Sequence, residues 1–206
     1  MTSVTQNHRP RLAPEPLEDR LALTCMIPNG DLWIIGTGGN DTVEVYQRNW
    51  WGGPFIEVIE NGRSTFFKAS DIWRESVFGD GKIEFYGFGG NDYINNNVGS
   101  LRLNAWGGEG DDVLIGDASN DILQGEGGND KLFGYGGNDD LRGGWGLDYV
   151  YGGDGNDWMD GGAGDGFIDY LEGGRGVDGY CLSWWGERDR CVGYTLNVER
   201  DWTYWV

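Results

Sequence analysis

From Gly107 onward, apolar and polar positions recur every nine residues. The segments GGEGDDVLI, GDASNDILQ, GEGGNDKLF, GYGGNDDLR, GGWGLDYVY and GGDGNDWMD follow one another without a slip. The eighth place is always apolar: Leu114, Leu123, Leu132, Leu141, Val150 and Met159. The sixth is always Asp: Asp112, Asp121, Asp130, Asp139, Asp148 and Asp157. Nine residues divide into a turn of six and a strand of three, so two units close a coil with two short strands on opposite sides. The apolar residue then points between two sheets, its neighbours point outward, and coils stack about 4.8 Å apart.

The pattern extends beyond this run. After a three-residue insertion, GGAGDGFIDYLE restores Asp169 and Leu171, and GGRGVDGYC supplies Asp178 and Tyr180. Two isolated copies lie upstream, GTGGNDTVE with Asp41 and GFGGNDYIN with Asp92. Alternating runs at 42–47, 55–60, 64–69 and 82–87 predict strands joined by turns at WWGGP and NGRS, and 101–106 predicts another. No stretch reads as an amphipathic helix. Residues 182–206, rich in Trp and Tyr, read as a hairpin or cap that would hold most of the Trp residues as core, since a solenoid needs closed ends.

Composition narrows the chemistry. Gly supplies 39 residues, far above ordinary usage, and glycine is costly to order. The net charge of −19, from 34 acidic and 15 basic residues, makes nucleic acid an unsuitable partner. No apolar run is long enough for a transmembrane helix. Three Cys residues leave one odd; Cys181 and Cys191 could close a hairpin disulfide or remain two thiols, and spacing does not decide.

Coil stacking turns the Asp residues into columns. Neighbouring carboxylates one strand spacing apart repel by roughly 3–4 kcal/mol at an effective dielectric of 20. A hard divalent cation between coils removes that cost, because Ca²⁺ takes six to eight oxygens from carboxylates and backbone carbonyls. Glycine at places one, two and four permits positive φ and brings carbonyls inward. The candidate carbonyl donors are Gly107, Gly110, Gly125, Gly128, Gly134, Gly137, Gly143, Gly146, Gly152 and Gly155.

The unit G-G-x-G-x-D-x-U-x resembles the RTX (repeats-in-toxin, hemolysin-type) calcium-binding β-roll. The resemblance covers 107–181, with 36–44 and 87–95 as single units. It implies Ca²⁺ between turns 18 residues apart, hence the pairs Asp112/Asp130, Asp121/Asp139, Asp130/Asp148 and Asp139/Asp157. Further pairs are Asp148/Asp169, Asp157/Asp178, Asp92/Asp112 and Asp41/Asp92, with wider spacings, and Ser119 departs from the pattern at place four. The expected fold is all-β: a right-handed parallel β-roll or β-helix solenoid with an N-terminal β-hairpin elaboration and an aromatic C-terminal cap. The expected divisions are a tail at 1–24, a strand region with two calcium-type turns at 25–106, the roll at 107–181 and the cap at 182–206. Four sites with calcium tenfold above Kd would add roughly 6 kcal/mol, so the repeat is expected to fold on calcium.

Alternate strands assign two outer faces. One carries Val113, Ile115, Lys131, Phe133, Tyr149 and Tyr151; the other carries Ile122, Gln124, Asp140, Arg142, Trp158 and Asp160. The first is an apolar strip, open to two readings: packing against another part of this chain, or a platform for a surface polysaccharide or another surface protein. No enzyme is expected, because the only His is His8 and no zinc or nucleophile-elbow motif occurs. LEDRLAL resembles an N-terminal motif of large bacterial surface proteins, and ERDWTYWV is compatible with a C-terminal export signal. Both imply a secreted or cell-surface protein.

Overall fold

Each nine-residue unit folds as a turn and then a strand, and the strands divide alternately between two facing sheets. The computed structural model describes residues 24–28, 30–73, 81–162, 165–181 and 190–194. The chain enters through β1 (Thr24–Met26), β2 (Leu32–Ile35) and β3 (Thr42–Trp50), then makes an excursion through β4 (Gly53–Glu60), β5 (Arg63–Lys68) and α1 (Ala69–Trp73). Coiling resumes with β6 (Lys82–Gly89), β7 (Tyr93–Asn97), β8 (Arg102–Glu109), β9 (Val113–Ile115), β10 (Ile122–Gly127) and β11 (Lys131–Gly136). It continues through β12 (Asp140–Trp145), β13 (Tyr149–Asp154), β14 (Trp158–Asp160), β15 (Tyr170–Arg175), β16 (Gly179–Cys181) and β17 (Arg190–Tyr194).

One sheet has the order β1-β2-β6-β8-β10-β12-β14-β16, the other β17-β15-β13-β11-β9-β7-β3-β4-β5. Stacked strands are parallel; among the described residues only the β1–β2 pair and the β3-β4-β5 meander are antiparallel. The register sets like on like. Leu123 pairs with Leu141, and Leu132 pairs with both Leu114 and Val150. The eighth-place residues Leu114, Leu123, Leu132, Leu141, Val150, Met159 and Leu171 are all fully buried, so the repeats have one apolar layer from each sheet. The N-terminal coils are better filled, with Leu32, Ile34, Val43, Val45, Ile56, Val58, Ile72, Ile83, Phe85, Ile94, Leu101 and Leu103 in the core. This is the expected all-β solenoid.

Several local expectations change. Strands β10 to β13 run for six residues rather than three, because places one to three keep hydrogen-bonding to the next coil. The pairing of Glu126 with Gly144 in the turn shows this continuation. The five-residue α1, with Ala69 and Ile72 buried against the core, was not legible as a helix. Residues 181 and 191 do not flank a hairpin: β16 ends one sheet and β17 ends the other. β17, within the span expected as a cap, adds one more parallel strand on β15. Residues 1–23 of the expected tail at 1–24 and most of the cap, 182–189 and 195–206, lie outside the described residues, and Thr24 begins β1.

Candidate metal centre

The turn of each unit brings its Asp to the edge of the solenoid, directly under the Asp of the neighbouring coil. The backbone fixes this stacking, because each Asp N–H donates to Oδ1 of the next Asp in its column. On the first edge the bonds run Asp41 to Asp92 (2.7 Å), Asp92 to Asp112 (2.7 Å), Asp112 to Asp130 (2.8 Å), Asp130 to Asp148 (2.8 Å) and Asp148 to Asp169 (2.9 Å). On the second edge they run Asp121 to Asp139 (2.8 Å), Asp139 to Asp157 (3.0 Å) and Asp157 to Asp178 (3.2 Å), with Leu103 N–H donating to Asp121 at 2.8 Å. The two upstream copies and the units beyond the insertion thus join the same columns as the regular run.

The second carboxylate oxygen makes the chemistry. Oδ2 of Asp92, Asp112, Asp130, Asp139, Asp148, Asp157 and Asp178 is buried without a hydrogen-bond partner. A buried charged oxygen left unpaired is strongly unfavourable, so each of these atoms calls for a cation or a proton. First-place glycines border the same spots. A Cβ added to Gly107 would overlap Asp112 Oδ2 and stand 2.8 Å from the carbonyl oxygen of Gly125. Gly125, Gly134, Gly143 and Gly152 repeat this against Asp130, Asp139, Asp148 and Asp157, with the next coil's carbonyl at 2.6–2.8 Å. The fourth-place glycines Gly110, Gly128, Gly137, Gly146 and Gly155 all have positive φ, and a Cβ on Gly128 or Gly146 would overlap the carbonyl of the coil before.

Among the described residues no three His, Cys, Asp or Glu side chains converge on one point. A cation between coils would therefore rest on carboxylates of two coils plus backbone carbonyls, an all-oxygen donor set that fits Ca²⁺ rather than a soft metal. Electrostatics agree. Burial pushes the Asp130 and Asp139 carboxyls up to about 8 and those of Asp92 and Asp121 to about 7. Asp112, Asp148 and Asp157 rise to about 6, and Asp178 also rises. In each case the backbone donor pulls the other way. Neighbouring Asp charges add to the rise at Asp92, Asp130 and Asp139.

Asp41 and Asp121 stand apart. Asp41 Oδ2 accepts from Thr37 N–H (2.6 Å) and the Thr37 hydroxyl (3.0 Å), and Asp121 Oδ2 accepts from Asp117 N–H (2.8 Å).

The fifth place also forms a ladder, which reading the sequence for carboxylates alone misses. The side-chain oxygens of Asn91, Asp111 and Asn129 accept backbone N–H groups of Asp111, Asn129 and Leu147, and those of Asn120, Asn138 and Asn156 accept from Asn138, Asn156 and Val177. The signal was the recurrence of Asn before Asp. The outer faces fall as expected: Val113, Lys131 and Tyr149 are in register on one sheet, Ile122, Asp140 and Trp158 on the other. On the first, Phe133 lies 5.8 Å from Tyr149, and Tyr149 stacks on Tyr170 at 5.0 Å. Trp50, Trp51, Trp145 and Trp158 are exposed, so these four are not core of a cap.

The family model described as the RTX calcium-binding nonapeptide repeat (4 copies) matches residues 106–141, 133–168 and 142–179. No curated protein and no solved structure matches the chain. Matched repeats, stacked parallel coils and two buried Asp columns coincide over one stretch: residues 106–179 are RTX calcium-binding nonapeptide repeats, folded as a β-roll.

Proposed function

We propose that this protein is a calcium-binding structural module of the cell exterior, secreted or held at the surface, that completes its fold on calcium and catalyses nothing. One observation carries the reading: seven Asp carboxylates each bury an oxygen that no protein donor meets. The column carboxylates and glycine carbonyls of successive coils would hold calcium, which would supply the counter-charge that the thin apolar core cannot. A cytoplasm poor in calcium would leave the repeats unfolded, and calcium outside the cell would fold them after export. Far-UV circular dichroism of the EDTA-stripped protein, titrated with calcium and with magnesium as control, tests this. A cooperative gain of β signal near millimolar calcium, absent with magnesium, is expected. A spectrum already complete and indifferent to calcium would overturn it.

The stacked strip of Phe133, Tyr149 and Tyr170 favours a second reading, a calcium-dependent adhesion module for polysaccharide or another surface protein, since aromatic rings offer flat apolar platforms. Glycan-array binding that needs calcium and disappears in a Tyr149→Ala/Tyr151→Ala variant would select it.

A further inference from the structure

Nine of the ten column carboxylates divide into two sets, and the division follows the backbone. In all seven turns with an unpartnered Oδ2, the second-place residue has positive φ: Phe88, Gly108, Glu126, Tyr135, Gly144, Gly153 and Gly174. In the other two turns the second-place residue, Thr37 or Asp117, stays out of that region, as do Gly39 and Ser119 at place four. There the second-place N–H donates to Oδ2 of Asp41 or Asp121. Turning the peptide this way sets an amide proton, with its partial positive charge, on the oxygen that elsewhere has no donor.

Other bonds hold these two turns in place. Asn61 Nδ2 reaches Asp41 Oδ1 at 3.1 Å, and the Thr37 hydroxyl accepts Gly39 N–H at 3.1 Å. Asp117 Oδ1 accepts Ser119 N–H at 2.7 Å, while its Oδ2 accepts Gly99 N–H at 2.6 Å and Asn96 Nδ2 at 3.0 Å. Each closed turn is the first Asp-bearing turn of its column. Asp41 opens one edge, and Asp121 opens the other, where Leu103 occupies the preceding place.

We propose that Asp41 and Asp121 are closed by the chain's own donors and take no calcium, so that occupancy begins one coil later in each column. The inference rests on the calcium reading above and deepens it. It leaves six clefts in which an unpartnered Oδ2 faces the next coil's first-place glycine carbonyl. Four lie between Asp92, Asp112, Asp130, Asp148 and Asp169 on one edge, and two lie between Asp139, Asp157 and Asp178 on the other. Closed first turns also give the calcium-dependent coils a preformed end on which to stack.

The test is equilibrium dialysis against saturating calcium with metal counting by mass spectrometry, on the full chain and on Asp121→Asn, Asp41→Asn and Asp139→Asn. Six ions per chain are expected, unchanged in Asp121→Asn and Asp41→Asn, whose melting temperatures fall through lost hydrogen bonds. Asp139→Asn should bind one fewer. An Asp117→Gly/Ser119→Gly double variant, which frees the turn to take positive φ, should gain one. A count of eight, or loss of an ion in Asp121→Asn or Asp41→Asn, overturns this inference alone. A wild-type chain that takes up no calcium overturns the calcium reading itself.

Discussion

Replacing Asp130 by Asn should change stability in opposite directions with and without calcium. Asp130 Oδ1 accepts the Asp112 N–H, and its buried Oδ2 faces the coil of Gly143. Asn retains an oxygen for the backbone bond but aims an NH₂ where a cation would sit. Without calcium, the wild-type carboxylate lies one strand spacing from Asp112 and Asp148, at roughly 3 kcal/mol of repulsion per charged pair with a dielectric of 20. Burial already holds this carboxyl up to about 8, so it is mostly protonated near neutral pH and the relief on substitution shrinks to the cost of that proton, about 4 kcal/mol over roughly three pH units. Asp130 borders two clefts, so with calcium a hundredfold above Kd its loss costs about 2.7 kcal/mol at each, roughly 5 kcal/mol in all, which outweighs that relief, and the misdirected NH₂ adds to it. Thermal melts followed by circular dichroism, in EDTA and in calcium, read both signs: Asp130→Asn should melt higher than wild type in EDTA and lower in calcium. Equal destabilisation in both buffers would refute the reasoning, because it would make the carboxylate only a hydrogen-bond acceptor.

Three other outcomes are expected. Because burial raises the column carboxyls to about 6–8 in the cation-free roll, against about 4 when unfolded, their stabilising effect is full below pH 4 and lost as pH rises through 6–8. EDTA-stripped protein should therefore be more structured at pH 5 than at pH 8 by circular dichroism, and the half-saturating calcium concentration should rise on acidification. Gly125→Ala should abolish binding in its cleft without touching any carboxylate, since the new methyl would overlap Asp130 Oδ2; calorimetry should count one ion fewer. Glu126 holds φ 77, a conformation costing an L-residue roughly 1–2 kcal/mol, so Glu126→Gly should stabilise the calcium-bound roll by about 0.5–1 kcal/mol in chemical denaturation. Glu126→Gln, which alters charge but not backbone freedom, should not.

The Asp columns were legible because a period of nine, kept without a slip from Asp112 to Asp157, places the sixth residue of each unit at an edge by arithmetic alone. The insertion before Asp169 was tolerable for the same reason: it falls between β14 and β15, and the Asp148 N–H still finds its acceptor. The link from Asp41 to Asp92 was harder to read. It spans 51 residues of sequence and depends on the β3-β4-β5 meander returning the chain to the stack. The closed turns were not legible from composition. Thr37 and Asp117 at place two are closed, but Phe88, Glu126 and Tyr135 at the same place are open. Side-chain bonds from Asn61 and to Asp117, reaching across coils, hold the closed turns, and no nine-residue pattern records them. The surface placement of Trp145 and Trp158 follows from their places in the unit, three and seven, which face outward whatever the residue.

The most direct measurement is an anomalous-difference map from a crystal of the full chain grown in calcium, collected at long wavelength. Peaks should lie inside the edges, between Asp112 and Asp130, Asp130 and Asp148, and Asp139 and Asp157, each within about 2.6 Å of carboxylate and glycine carbonyl oxygens. Peaks confined to outward carboxylates such as Asp154, with no density between coils, would contradict calcium as the counter-charge of the columns.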